Sequence, residues 1–121
     1  MAFLNQEHMD RYIKVKEIAG FNDDSGEYAA FTYLITSDIL NDINEKIFDC
    51  NRNWYNIDTA NEILESDNTM SSAKRALLQL ALNLYQLNKE GMSVIDLFSC
   101  LDRNNKIVAT EAIKIAFNFN Y

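Results

Sequence analysis

The longest run of helix-forming, apolar residues lies at positions 71–88 and reads SSAKRALLQLALNLYQLN. Apolar side chains cover most of the circumference of a helix built from it, and one polar stripe recurs at Arg75, Gln79, Asn83 and Gln86. A helix with so little polar surface has to be surrounded by other helices. The pattern therefore predicts a central helix at 71–88.

Shorter helical patterns precede and follow this segment. Asn5 is a favourable N-cap for a first helix that ends at Gly20, and Ser37 is placed to cap a helix over about 38–48. Thr59 and Glu62 have the T-x-x-E spacing of a capping box. Further predicted helices lie over about 27–36, after Ser93, and over about 105–119, and Gly91 is expected to end the central helix.

The segment 27–36 is the one place where a strand competes with a helix, because FTYLIT is dense in β-branched and aromatic residues. We favour a helix there. The chain has no proline and only three glycines in 121 residues, which suits one helical domain. The sequence thus predicts an all-α, compact single-domain bundle of about five to six helices over residues 1–121.

Charge is distributed unevenly along the chain, whose formal net charge is −7. Residues 1–67 hold 14 acidic and 5 basic side chains, a net of −9, whereas residues 68–121 hold 4 and 6, a net of +2. Affinity for nucleic acid is built from phosphate neutralisation by Lys and Arg, so direct binding to DNA or RNA is not expected. The acidic half could instead bind a basic protein partner or simply form a solvated surface.

The loop 50–57, CNRNWYNI, brings Arg52, Trp54 and Tyr55 close together. These residue types dominate the energetics of protein interfaces, so the loop is a candidate contact surface. The alternative is that Trp54 and Tyr55 cover the core. The partner-binding residues predicted from the sequence are Asp23, Asp24, Glu27, Asp38, Asp42, Glu45, Arg52, Trp54 and Tyr55.

Motifs for catalysis, metals or cofactors are sparse. His8 is the only histidine, and we expect it to be packed or at the surface rather than catalytic or metal-binding. Residues 102–107 start like a calcium loop but lack its glycine and its final glutamate, so a helix-capping turn explains them better. Cys50 and Cys100 are expected to be buried thiols. No cofactor, metal or catalytic residue is predicted.

Arg75 is the charged member of the polar stripe on the predicted central helix. An internal hydrogen-bond network or an ion pair with a carboxylate is the ordinary explanation. The alternative is a small-ligand or enzymatic site at the start of that helix, lined by Ser71, Ser72 and Arg75.

No apolar run reaches the length that crosses a bilayer, and the N-terminus lacks the pattern of a secretory signal, so a cytoplasmic protein without a membrane segment is expected. Surplus apolar surface on the last helix would allow a homodimer.

Three blocks of sequence occur in a recognisable order: FLNQEHMDRY near the start, SSAKRALLQLALNLYQ in the middle, and SVIDLFSCLDRNN followed by AIKIAF near the end. Together they resemble a family of small uncharacterised proteins from low-GC Gram-positive bacteria and their phages, plasmids and conjugative elements. The resemblance implies an all-helical accessory protein of mobile DNA, and it supplies no reaction. The resulting hypothesis is a non-enzymatic interaction factor, in its sharpest version an anti-CRISPR-like inhibitor whose carboxylates stand in for phosphates on a host nucleic-acid-binding or defence protein.

Overall fold

The computed structural model describes residues 1–86 and 91–118. In these residues the chain forms seven helices and one hairpin of two very short strands, so the all-α prediction is confirmed. The elements are, in order, α1 (Gln6–Ala19), α2 (Gly26–Ile35), α3 (Asn41–Ile47), β1 (Phe48–Asp49), β2 (Trp54–Tyr55), α4 (Ile57–Ser66), α5 (Ser72–Gln86), α6 (Val94–Ser99) and α7 (Arg103–Ala116).

The most completely buried element is α2. Every residue from position 29 to position 37 is buried, and α2 packs between α5 and α7 with α1 and α3 also in contact. The segment for which a strand was the alternative prediction is therefore a helix. Its buried backbone N–H and C=O groups need partners, and because its neighbours are helices rather than strands, the bonds within the helix itself supply them.

Helix α5 packs extensively against α2. Leu77, Leu78 and Ala81 are buried in the common core, whereas Gln79 and Leu80 are half-buried. The predicted helix at 71–88 thus begins as expected and packs on its neighbours. Residues 87–90 are outside the described part of the chain, so the predicted end of this helix at Gly91 stays a prediction.

Several predicted caps are confirmed. The side chain of Asn5 accepts the N–H of His8 at 2.8 Å, and α1 is followed by Gly20 in the left-handed conformation with φ 77°. Ser93 accepts the N–H of Asp96 at 3.1 Å at the start of α6. Asp102 accepts the N–H of Asn105 at 2.9 Å, so the calcium-like segment is a helix cap.

Two predicted helix starts are wrong. Ser37 does not cap α3, because its hydroxyl donates back to the carbonyl of Leu34 and the helix begins later, at Asn41. The capping box at Thr59 is replaced by Asn56, whose side chain accepts the N–H of Thr59 at 3.2 Å. In both cases a local hydrogen bond other than the predicted cap is formed, as the short polar side chains of serine and asparagine allow.

None of the helices in the described residues is long and apolar enough to span a bilayer.

Candidate functional site: an aromatic groove beside the acidic segment

Eight residues line a surface groove of about 350 Å³, which we call the aromatic groove. They come from the end of α1, the start of α2, the hairpin and the end of α5. The lining residues are Ala19, Gly20, Phe21, Tyr28, Arg52, Asn53, Trp54 and Tyr85. Because four of the eight are aromatic and one is arginine, the groove has the residue types that are enriched at interaction hot spots.

The hairpin positions Trp54 on one side of the groove. Phe48 pairs with Tyr55 and Asp49 with Trp54 in the antiparallel ladder. Between the strands, Asp49 accepts the N–H of Arg52 on its carbonyl at 3.1 Å and that of Asn51 on its carboxylate at 3.0 Å. Asn53 has φ 55°, a left-handed conformation that asparagine tolerates. The turn is therefore held by its own short-range hydrogen bonds.

The indole of Trp54 is fixed from two sides. Its Nε1–H donates to the hydroxyl of Tyr85 at 3.1 Å. Phe31, which is fully buried, lies beneath both rings, with its centroid 6.1 Å from Trp54 and 5.3 Å from Tyr85. The ring is half-buried, so one part belongs to the core and the other part is open to the groove.

Phe21 and Tyr28 form the opposite side. Gly20 ends α1 with its N–H bonded to the carbonyl of Lys16 at 2.8 Å, and the turn that follows returns Phe21 toward α2. The rings of Phe21 and Tyr28 stack at 6.4 Å, and Tyr28 meets Trp54 edge to face at 5.2 Å. Tyr28 is 39% exposed. These contacts pack the rings of the groove walls against one another.

The three residues predicted as a contact loop separate in the structure. Arg52 is at the surface, with a side chain 77% exposed and its Nε 3.6 Å from the carboxylate of Asp49. Trp54 lies at the groove. Tyr55 is buried in the core, where its hydroxyl donates to Asn44 at 2.6 Å. The loop is thus partly surface, as the contact hypothesis requires, and partly cover for the core.

Three of the predicted acidic contact residues are paired within the protein. Asp23 accepts the hydroxyl of Tyr12 and lies 3.1 Å from Lys16. Asp38 binds Arg11 and accepts the side-chain amide of Asn5 at 2.6 Å, and Asp42 binds Lys74. Partial burial alone would raise the pKa of each carboxyl, but these donors and cations lower the pKa below the ordinary value.

Asp24, Glu27 and Glu45 are exposed and take part in no ion pair among the described residues. Asp24 and Glu27 belong to the segment that leads from Phe21 to Tyr28, but neither lines the groove. Asp24 lines a separate pocket, together with Glu111 and Lys114. Burial raises the pKa of Tyr85, the hydrogen bond from Trp54 lowers it, and the negative charge of Glu27 raises it further.

At the alternative site, at the start of α5, Arg75 has a structural role. The guanidinium of Arg75 donates to the carbonyls of Leu64 and Asp67, at the end of α4. The hydroxyl of Ser71 accepts the N–H of Lys74 at 3.2 Å, and Ser72 is exposed at the first position of the helix. An internal hydrogen-bond network, the ordinary explanation for Arg75, is what these contacts form.

His8 is packed, as predicted. It is 1% exposed, and its Nε2 lies 2.7 Å from the carbonyl of Tyr33. Its ring is in edge contact with Phe3 at 5.0 Å. Among the described residues no group of three or more His, Cys, Asp or Glu side chains is arranged to hold a metal ion.

The prediction that both cysteines are buried is wrong for Cys50. It is an exposed free thiol because it lies in the hairpin turn, and Cys100 is half-buried at the end of α6.

Sequence reasoning missed Phe21, Tyr28 and Tyr85 as groove residues. Phe21 precedes a stretch of turn-forming residues, and Tyr28 and Tyr85 lie in apolar helical segments, where an aromatic residue has an ordinary packing role. The only signal in the sequence is the frequency of aromatic residues, 12% of the chain, and it does not say which of them meet. Trp54 and Tyr85 are 31 positions apart, so their contact follows from the packing of α5 and the hairpin on α2.

Comparison with known proteins adds one result. Neither a search of curated proteins nor a search of solved structures finds a match. One family model matches residues 1–121, the whole chain, and its description is a family of unknown function, DUF6075. The protein therefore belongs to the DUF6075 family.

Proposed function

We propose that the protein is a non-enzymatic interaction factor that binds a protein partner with a basic surface, through the aromatic groove and the exposed carboxylates of Asp24 and Glu27 on the segment that leads into α2. The observation that carries the proposal is the combination of partly exposed, mutually packed aromatic rings with two exposed carboxylates in no ion pair among the described residues. Such a surface offers apolar contact area together with a charge that attracts a cationic partner.

Preorganisation supports this assignment. Binding normally costs conformational entropy when mobile side chains become fixed in an interface. In the aromatic groove the hydrogen bond from Trp54 to Tyr85 and the buried ring of Phe31 already fix the walls. The surface can therefore form a complex with a smaller ordering cost than a set of isolated surface side chains.

The finer version of the proposal is an accessory protein of a mobile genetic element, such as a phage or plasmid, that inhibits a host nucleic-acid-binding or defence protein in the cytoplasm. Carboxylates can occupy the positions of phosphates in a basic groove. The support is the net charge of −9 over residues 1–67, the sequence resemblance, and two free thiols, which are typical of a reducing compartment.

A small-ligand or enzymatic site near Ser71, Ser72 and Arg75 has less support. The donors of Arg75 are directed to the carbonyls that end α4, so the guanidinium is engaged in holding two helices together.

The test is affinity capture from the lysate of a low-GC Gram-positive bacterium, comparing the wild type with the double variant Asp24→Lys and Glu27→Lys. The matched control is Glu62→Lys with Glu65→Lys, which makes the same charge change at exposed positions of α4, away from the groove. We expect the wild type and the control to retain a basic protein that the Asp24→Lys and Glu27→Lys double variant loses. Capture should also weaken between about 0.05 M and 0.5 M salt, because screening shortens the range of charge attraction.

Equal loss in both double variants would show that only net charge matters and would contradict a defined binding surface. Capture that does not respond to salt would contradict the basic partner.

A further inference from the structure

The hairpin supplies the aromatic groove with a cation and with unused hydrogen-bond donors. Arg52 is the only charged residue among the eight that line the groove, and its side chain is 77% exposed. Its contact with Asp49 is an ion pair at 3.6 Å, and among the described residues neither its guanidinium nor the side-chain amide of Asn53 makes a hydrogen bond. These two adjacent residues therefore present N–H groups that a ligand can use.

Aromatic side chains form the other walls of the groove. Tyr28 and Trp54 meet edge to face at 5.2 Å, and both are partly exposed where they line the groove. Nucleobases stack on such rings, because every base has a π-face. The volume of about 350 Å³ lies at the lower end of the range for small-molecule sites, which suits a single base with its sugar.

The charges favour an anionic ligand and limit its size. A phosphate is matched by the guanidinium of Arg52, since the planar fork of N–H groups can bind two phosphate oxygens at once. A cationic ligand would meet Arg52 as the one charged residue of the groove walls. A nucleic acid chain would place further phosphates against residues 1–67, whose net charge is −9. One base that carries one phosphate uses both the rings and the cation.

We propose that the aromatic groove binds a nucleoside monophosphate, with its base stacked on Trp54 and Tyr28 and its phosphate bound by Arg52 and Asn53. The inference goes beyond the proposed function, because it concerns a small ligand of the groove alone, whereas the protein partner also uses Asp24 and Glu27.

The test uses Trp54 as its own reporter, since it is the only tryptophan in the chain and gives one indole N–H resonance. The ¹⁵N-labelled protein is titrated with adenosine monophosphate and, separately, with adenosine, which lacks the phosphate, and with ribose phosphate, which lacks the base. We expect a saturable shift of the Trp54 resonance with adenosine monophosphate, with a dissociation constant on the order of millimolar. Adenosine should bind about 10-fold more weakly, and ribose phosphate should give no saturable shift.

Matched variants assign each part of the ligand to its wall. Arg52→Gln removes the cation from an exposed side chain, so it should weaken adenosine monophosphate by about 10-fold and leave adenosine within about 2-fold. Tyr28→Leu removes one ring and should weaken both compounds by about 5-fold or more. Arg103→Gln makes the same charge change at an exposed position of α7 and should have no effect on either compound.

Several results would overturn the inference. Equal affinity for adenosine and its monophosphate, or equal affinities in Arg52→Gln and Arg103→Gln, would contradict recognition of the phosphate by Arg52. A stronger response to N-acetyl-arginine amide than to adenosine monophosphate would assign the groove to a cation instead. Affinity for oligothymidylate that rises with its length would indicate a nucleic-acid-binding surface rather than a nucleotide site. No saturable shift up to about 20 mM adenosine monophosphate would exclude the site itself.

Discussion

At the scale of single residues, His8 shows how burial decides protonation. A carbonyl oxygen can only accept a hydrogen bond, so Nε2 of His8 carries the proton that is donated to the carbonyl of Tyr33. In the neutral ring, Nδ1 is then a buried acceptor, and it has no hydrogen-bond partner among the described residues. Burial lowers the pKa of His8. The hydrogen bond to Tyr33 and the negative charge of Asp38 raise this pKa, whereas the positive charge of Arg11 lowers it. The net effect is a lowered pKa for His8. The folded protein therefore favours the neutral ring.

The free energy of unfolding should fall as the pH decreases from 7 to 5. The pKa of His8 is lower in the folded than in the unfolded state, so the unfolded state binds more protons once the pH passes below about 6.5. The loss cannot exceed about 1.4 kcal/mol per pH unit for one proton. Urea unfolding at each pH measures it, and His8→Gln, which cannot titrate, should remove most of the dependence.

A variant with His8→Gln that keeps the full pH dependence would contradict this assignment. The measurements stay above pH 5 because Asp23, Asp38 and Asp42 have lowered pKa values, and the stability they contribute is lost at more acidic pH.

Arg75 and Lys74 are adjacent in sequence and should differ strongly in their effect on stability. Arg75 is half-buried and donates charged hydrogen bonds to two carbonyls at the end of α4, so Arg75→Ala should cost about 3 kcal/mol in the free energy of unfolding. Lys74 pairs with Asp42, whose side chain is 53% exposed, so Lys74→Ala should cost at most about 1 kcal/mol. Denaturant unfolding of both variants measures the difference, and equal losses would contradict it.

At the scale of elements, the burial of α2 depends on how closely α7 approaches its first turn. Gly26 is the first residue of α2, and a Cβ added there would clash with the carbonyl oxygen of Ala116 at the end of α7. Gly20 differs from Gly26, because a Cβ added at Gly20 would meet no atom within 4 Å. Its φ of 77°, however, is one that L-residues rarely adopt.

Alanine substitutions should separate the two glycines. Gly26→Ala should lower stability by about 1–3 kcal/mol, because the contact is with backbone and α2 or α7 has to move. Gly20→Ala should cost about 1 kcal/mol, which is the backbone strain alone. Thermal unfolding ranks the variants, and a larger loss for Gly20→Ala would show that α7 moves away from α2 without cost.

At the scale of the whole molecule, acidic and apolar surfaces lie on different elements. Asp24, Glu27 and Glu45 are exposed on the segments from α1 to α3. The most exposed large apolar side chains are Ile95 at 79% and Val94 at 71%, both on α6. The prediction of homodimerisation assigned surplus apolar surface to the last helix, and α7 does expose Ile107, but α6 exposes more.

We expect weak self-association through α6, visible as a solution mass that rises with protein concentration in light scattering or sedimentation. The double variant Val94→Ser and Ile95→Ser should reduce it while changing the free energy of unfolding by no more than about 0.5 kcal/mol, since both side chains are already exposed. A wild type that stays monomeric at all concentrations would contradict the prediction.

The sequence alone determined the helical class and many of the helix ends. Asn5, Ser93 and Asp102 cap helices through bonds to a backbone N–H three residues on, and Gly20 ends α1 through its own backbone angle. These interactions are local, so the order of residues is sufficient to predict them. The wrong helix start at Thr59 shows the limit, because Asn56, three residues earlier, accepts the N–H of Thr59 and is the cap instead.

Only the tertiary structure decided which residues share a surface. It put α2 rather than α5 at the most buried position, paired Asp38 with Arg11 across 27 positions, and brought Trp54 to Tyr85 across 31. It also left Asp24 and Glu27 in no ion pair among the described residues while pairing Asp23 with Lys16. Contacts at such separations depend on how helices pack against one another, and packing is set by the combined shapes of many side chains rather than by the pattern of any one segment.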